Sequence, residues 1–125
     1  MVTELTKDTL KEAIENNDIV MMDFWAPWCG PCRSFAPIYE KAAEQNQDIT
    51  FTKVNTEDQT ELAAYFNIRS IPTLMIFREQ IIVFAQPGAL PEQALNQLIT
   101  QVKELDMDEI RKEIAEQEDQ QQSGE

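Results

Sequence analysis

Apolar positions along the first hundred residues switch between two periods. Leu10, Ala13 and Ile14 recur at helical spacing, and Asp18 then leads into Ile19-Val20-Met21-Met22-Asp23-Phe24-Trp25, an almost unbroken apolar run. Such a run predicts a strand buried on both faces, as in the centre of a sheet. Phe35, Ala36, Ile38, Tyr39, Ala42 and Ala43 return to helical spacing up to about Gln47, with Pro37 inside the pattern as a predicted kink. Thr50 to Asn55 predicts a second strand. Thr56-Glu57-Asp58-Gln59 has the spacing of a capping box, with Thr56 as N-cap and Gln59 reaching back. It predicts a helix containing Leu62, Ala63 and Phe66, closed by Asn67 in a left-handed conformation.

The order then changes. Thr73 to Phe77 and Ile81 to Ala85 are apolar runs separated by only a few residues, too few for a helical crossover, so they predict an antiparallel hairpin. Pro91 stands at the expected first position of a further helix whose stripe is Leu95, Leu98, Ile99, Val102 and Leu105. Strand-helix-strand followed by a hairpin and a helix predicts an α/β fold. Right-handed crossovers place helices on both faces of its mixed sheet. No internal repeat is present.

Length and charge narrow the class. With 125 residues, 42% of them hydrophobic, the chain suits one ordinary domain. The N-terminal residues lack a basic patch leading into an apolar run, and no apolar stretch reaches the length of a membrane span, so a cytoplasmic protein is expected. Ten Lys and Arg against 23 Asp and Glu give a net charge of -13, which repels nucleic acid and anionic membrane surfaces. Glu104 to Glu125 alone holds 9 acidic and 2 basic residues. Asp106-Met107-Asp108-Glu109 has N-cap character, and Leu105, Met107, Ile110 and Ile114 form a narrow apolar edge. The expected organisation is therefore a body over 1–105 and an acidic extension over 106–125. In the extension, a short helix from about Met107 to Glu118 frays from Gln117, docks weakly, and leaves Gln120 to Glu125 disordered.

The chemistry concentrates at Trp28-Cys29-Gly30-Pro31-Cys32, where strand gives way to helix. A spacing of three puts both sulfurs on one face of the first helical turn, near enough for a disulfide to close with little backbone movement. As a staple so small a loop contributes only roughly 2 kcal/mol, so reversible redox chemistry is the better use of the pair. The positive end of the helix favours a thiolate at Cys29, and Pro31 stiffens the first turn. Two other readings stand beside this one. A zinc or iron site would need carboxylates to complete it, since the chain has no further Cys and no His. Inert buried thiols fit poorly with the position at a helix start.

Asp23-Phe24-Trp25-Ala26-Pro27-Trp28-Cys29-Gly30-Pro31-Cys32 resembles the active-site segment of the thioredoxin family, and Ile68-Arg69-Ser70-Ile71-Pro72-Thr73 resembles its second signature. Lys53-Val54-Asn55 and Pro87-Gly88-Ala89-Leu90 are also similar, so the likeness spans roughly residues 1 to 105. It implies a thioredoxin-like fold and a protein-disulfide reductase that works by dithiol-disulfide exchange. Cys29 is then the attacking thiolate and Cys32 the resolving thiol, with Asp23 moving the proton and Lys53 as its partner. Pro72 is implied to be a cis-proline. Ile71 would offer its backbone to an extended substrate segment, in a groove bordered by Trp28, Gly30, Pro31 and Gly88. No bound cofactor is implied beyond the redox-active disulfide Cys29-Cys32. The partners implied are disulfide-containing client proteins and an NADPH-dependent flavoprotein reductase, met by a monomer.

Three departures are visible. Arg78-Glu79-Gln80-Ile81 lacks the Asn-Gly or Asp-Gly turn common in the family, Thr56 stands where Asp is frequent, and the residues after Leu105 have no counterpart in ordinary members. An adaptor that binds a partner through the groove and acidic tail without turnover is the alternative function, against which the intact cysteine pair argues.

Overall fold

The computed structural model describes residues 1–123. Its elements in chain order are β1 (Val2–Glu4), α1 (Leu10–Glu15), β2 (Ile19–Trp25), α2 (Gly30–Gln45), β3 (Thr50–Asn55), α3 (Thr60–Tyr65), β4 (Thr73–Arg78), β5 (Ile81–Pro87), α4 (Glu92–Glu104) and α5 (Met107–Ser123). The five strands form one sheet in the order β1-β3-β2-β4-β5. β2 runs parallel to β3 and antiparallel to β4, and β4–β5 is the expected hairpin. The unbroken apolar run of β2 is explained by its place: helices cover both faces, so six of its seven residues are buried.

Two cores follow from the alternation of side chains. On one face Met21, Phe51, Leu74 and Ile76 meet Phe35 and Tyr39 of α2 and Leu95, Ile99 and Val102 of α4. On the other face Val20, Met22, Phe24, Val54, Met75 and Phe77 meet Leu62 of α3, with Leu10 and Ile14 of α1 packed alongside. The expected mixed sheet with helices on both faces is present.

Several local expectations are corrected. β1 has no counterpart in the sequence pattern: three residues paired with Phe51 to Lys53 are too short to show a period. Thr56 does not cap α3. Its hydroxyl and amide both turn back to the Trp25 carbonyl, at 3.0 and 2.8 Å, and the helix starts later with Gln59 in the N-cap position. The far end of α3 behaves as expected: Asn67 has φ of 58°, and the amides of Asn67 and Ile68 bond to Ala64 and Ala63 in a Schellman arrangement. Pro91 occupies the N-cap of α4 rather than its first turn.

The hairpin turn keeps two central residues although it lacks glycine. Glu79 and Gln80 both take left-handed φ, 51° and 69°, as a type I′ turn requires. Glu79 is held there by its amide, which donates to Asp18 O at 2.8 Å, and by its carboxylate, which accepts from Arg111 at 2.7 Å.

α5 differs most from expectation. It runs to Ser123, past the end expected near Glu118, so helix stands where fraying was expected from Gln117 and disorder from Gln120; Gly124 and Glu125, the end of that expected tail, lie outside the described residues. Asp106 caps it, accepting from the Glu109 amide at 3.1 Å, and Met107 is buried. Arg78 at the end of β4 donates to the carbonyls of Val102 and Leu105, each at 2.8 Å, and so fixes the junction of α4 and α5. Once that first turn is nucleated, Ala115 to Ser123 contains no Gly, Pro or β-branched residue to stop propagation.

Candidate active site

Three segments meet at the end of β2 because β3 and β4 flank it on opposite sides. Asp23 pairs with Lys53 across the parallel ladder, while Phe24 pairs with Thr73, the residue after Pro72, across the antiparallel one. The chain leaving β2 enters α2 at Cys29, which therefore lies beside the loop that enters β4.

Cys29 and Cys32 are disulfide-bonded, with Cα atoms 5.2 Å apart. Cys29 is the N-cap of α2, and the Cys32 amide donates to its sulfur at 3.2 Å. That amide and the positive helix end are both placed to stabilise a thiolate at Cys29 in the reduced protein. Ala26, Cys29 and Cys32 form a small buried cluster against which Ile71 and Trp25 pack. Gly30 and Pro31, by contrast, are exposed at the surface above the sulfurs.

The Ile71–Pro72 peptide is cis, and Pro72 is buried. The Ile71 carbonyl oxygen lies 3.8 Å from Cys29 Sγ. Gly88, at φ of 108° where a side chain would be strained, donates its amide to Pro72 O at 2.8 Å and joins the loop after β5 to this wall. Trp28 is 65% exposed, so it is no part of the core. Its indole N–H donates to Glu57, a contact hidden in the sequence because Glu57 reads as part of a helix cap.

Asp23 lies behind the sulfurs. Only 4% exposed, it has an Oδ1 atom with no hydrogen-bond partner among the described residues. Burial pushes its carboxyl up to about 7, with Lys53 pulling the other way. A carboxyl titrating near neutrality can take a proton from a thiol and return it. Lys53 is the cross-strand neighbour of Asp23, but among the described residues it makes no close ion pair with it, and its ammonium sits 4.9 Å from the centroid of the Trp25 ring. Asp23, Cys32, Tyr39 and Lys53 line a common cavity of about 90 Å³. Tyr39 reads from sequence only as an apolar position of α2. A wider groove of about 790 Å³ between α1, α3 and β5 contains no cysteine.

Among the described residues no group of three or more His, Cys, Asp or Glu is placed to hold a metal ion. No helix is long and apolar enough to cross a membrane, again among the described residues.

Comparison with known proteins accords with this geometry. The family model described as Thioredoxin matches residues 1–101. The putative thioredoxin 2 of Streptomyces coelicolor is 61% identical over 114 residues, covering 91% of this chain and 85% of that protein. A thioredoxin of Porphyra purpurea is 45% identical over 96 residues, 75% of this chain and 90% of its own. Among solved structures, a single-site mutant of thioredoxin from Halobacterium salinarum superposes with a TM-score of 0.78 at 33% identity, covering 84% of this chain and 93% of that one. With a redox-active cysteine pair set at the meeting point of β2, β3 and β4, the chain belongs to the thioredoxin family of thiol-disulfide oxidoreductases.

Proposed function

We propose that the protein reduces disulfides in client proteins, with Cys29 as nucleophile and Cys32 as resolving thiol. The observation that carries this reading is the placement of the cysteine pair: Cys29 at the start of α2, Cys32 one turn on and lining the cavity that holds Asp23. The Cys29 thiolate attacks one sulfur of the client disulfide and forms a mixed disulfide, while the other client sulfur leaves as a thiolate. Cys32 then gives its proton to Asp23 and attacks Cys29 Sγ. The Cys29–client bond breaks, the second client thiolate leaves, and the enzyme holds the Cys29–Cys32 disulfide.

Lys53 favours the ionised state of Asp23 and so helps keep it ready to accept a proton. Ile71 offers its backbone to an extended client segment, and Trp28, Gly30, Pro31, Pro72 and Gly88 border that segment. Turnover requires a reductant, for which we assign an NADPH-dependent flavoprotein reductase. The protein then serves as an electron carrier in the cytoplasm. It acts as a monomer, since a net charge of -13 keeps copies apart. Residues 1–105 form the catalytic body and 106–125 an acidic extension.

The test is trapping. Cys32→Ser is expected to accumulate mixed disulfides with client proteins, identified by mass spectrometry, whereas Cys29→Ser forms far fewer. Equal trapping by the two variants would overturn the assigned roles.

A further inference from the structure

Tyr39 is buried and is the one hydroxyl-bearing residue among the described residues that line the cavity behind the sulfurs, and the exchange reaction leaves it without a task. Its ring is held on two sides, 5.6 Å from the Phe35 centroid and 5.2 Å from that of Phe51. Its hydroxyl hydrogen is committed elsewhere: Oη donates to the backbone carbonyl of Thr52 at 2.7 Å. A hydroxyl carries one donor and two acceptor positions, so an oxygen locked in this way is left with acceptor capacity only. The Asp23 carboxyl, with its unpartnered Oδ1, lines the same small cavity.

We propose that Tyr39 is a positioning residue for the proton on Asp23: with its own hydrogen held by Thr52, its oxygen presents negative density to the cavity and favours the protonated carboxyl. The charged and titratable neighbours around Asp23 are Cys32, Arg33, Tyr39 and Glu40 from α2 and Lys53 from β3. Lys53 favours the ionised acid, so Tyr39 acts against it. The phenol stays neutral throughout, because burial and then the charge of Asp23 push its own ionisation well above the ordinary range. It therefore acts as a fixed dipole. The consequence for the reaction is a stronger base: once ionised, the carboxylate takes the proton of Cys32 more readily.

This inference rests on the assignment of Asp23 as base, and its test separates the two. In the oxidised protein neither cysteine titrates, so Asp23 can be followed alone by the carboxyl 13C resonance between pH 4 and 10. Tyr39→Phe keeps the ring between Phe35 and Phe51 and removes only the oxygen. The Asp23 midpoint is expected to fall by about half a pH unit, the worth of a nearby dipole that makes no direct hydrogen bond to the carboxyl. The acid limb of mixed-disulfide release should move down with it, and Tyr39→Phe should leave that limb unchanged in an Asp23→Asn background. A midpoint that stays within about 0.2 pH unit of the parent, or rises, overturns the inference and leaves Tyr39 as a packing residue, whatever happens to the melting temperature. If Asp23→Asn alone leaves release and its pH profile unaltered, the base assignment fails, and the carboxyl titration still decides the part played by Tyr39.

Discussion

Replacing Asp23 by Ala removes a carboxyl that the fold holds at about 7 against an ordinary 3.8. At pH ~3 and below, the group is protonated in the native protein and largely so in the unfolded chain, and its ionisation contributes little to the difference between them. As pH rises from there to 7, the unfolded chain ionises while the native state keeps its proton. Native stability therefore falls with rising pH across that window and levels off above it. A rise of about three pH units at about 1.4 kcal/mol each amounts to about 4 kcal/mol by pH 8. Asp23→Ala is free of that penalty. The stability advantage of the variant should thus grow by about 4 kcal/mol between pH 4 and pH 9, starting from a small deficit for lost packing. Urea unfolding of the oxidised proteins, followed by tryptophan fluorescence at each pH with unchanged m-values, measures it. The reasoning is refuted by a difference that stays flat to within about 1 kcal/mol. An advantage that shifts toward the parent as pH rises refutes it equally, because attraction to Lys53 would then outweigh burial.

Deletion after Leu105 should leave client-disulfide turnover within about twofold, yet lower the melting temperature, because it removes the buried Met107 and the Arg111 contact to Glu79; a tenfold loss of turnover would place the extension in the working site. Met107→Ala in the full chain should cost about 2 kcal/mol by chemical unfolding. Gln80, at φ of 69°, is strained for a residue with a side chain, so Gln80→Gly should raise stability by about 0.5–1 kcal/mol with unchanged turnover. Loss of stability there would mean that Gln80 makes contacts worth more than its strain.

Legibility in the sequence follows the strength of the local signal. β2 is plain because a strand covered on both faces must be apolar nearly throughout, and α2 and α4 are plain because each buries a regular stripe. β1 is not, since three residues at a sheet edge carry no measurable period. Thr56 misleads because a hydroxyl that caps a helix and one that bonds a neighbouring strand look alike in sequence; the outcome depends on where Trp25 O lies. The extension is more ordered than its isolated pattern suggests, because the anchors that stabilise it, Arg78 and Glu79, lie in the hairpin. At the site, Cys29, Cys32 and Asp23 stand out by type and position. Tyr39 and Glu57 do not, being an aromatic in a helical stripe and an acid in a polar loop until the fold sets them beside Asp23 and Trp28.

The cysteine pair stands only three positions apart in sequence, whereas its surroundings are drawn from Asp23, Lys53, Ile71 and Gly88. Opening or closing so short a ring changes the freedom of the chain very little. The scaffold therefore works as an electrode rather than as an engine. Electrons enter and leave through two adjacent sulfur atoms, while the sheet behind them holds Asp23 and Lys53, the groups that handle the proton.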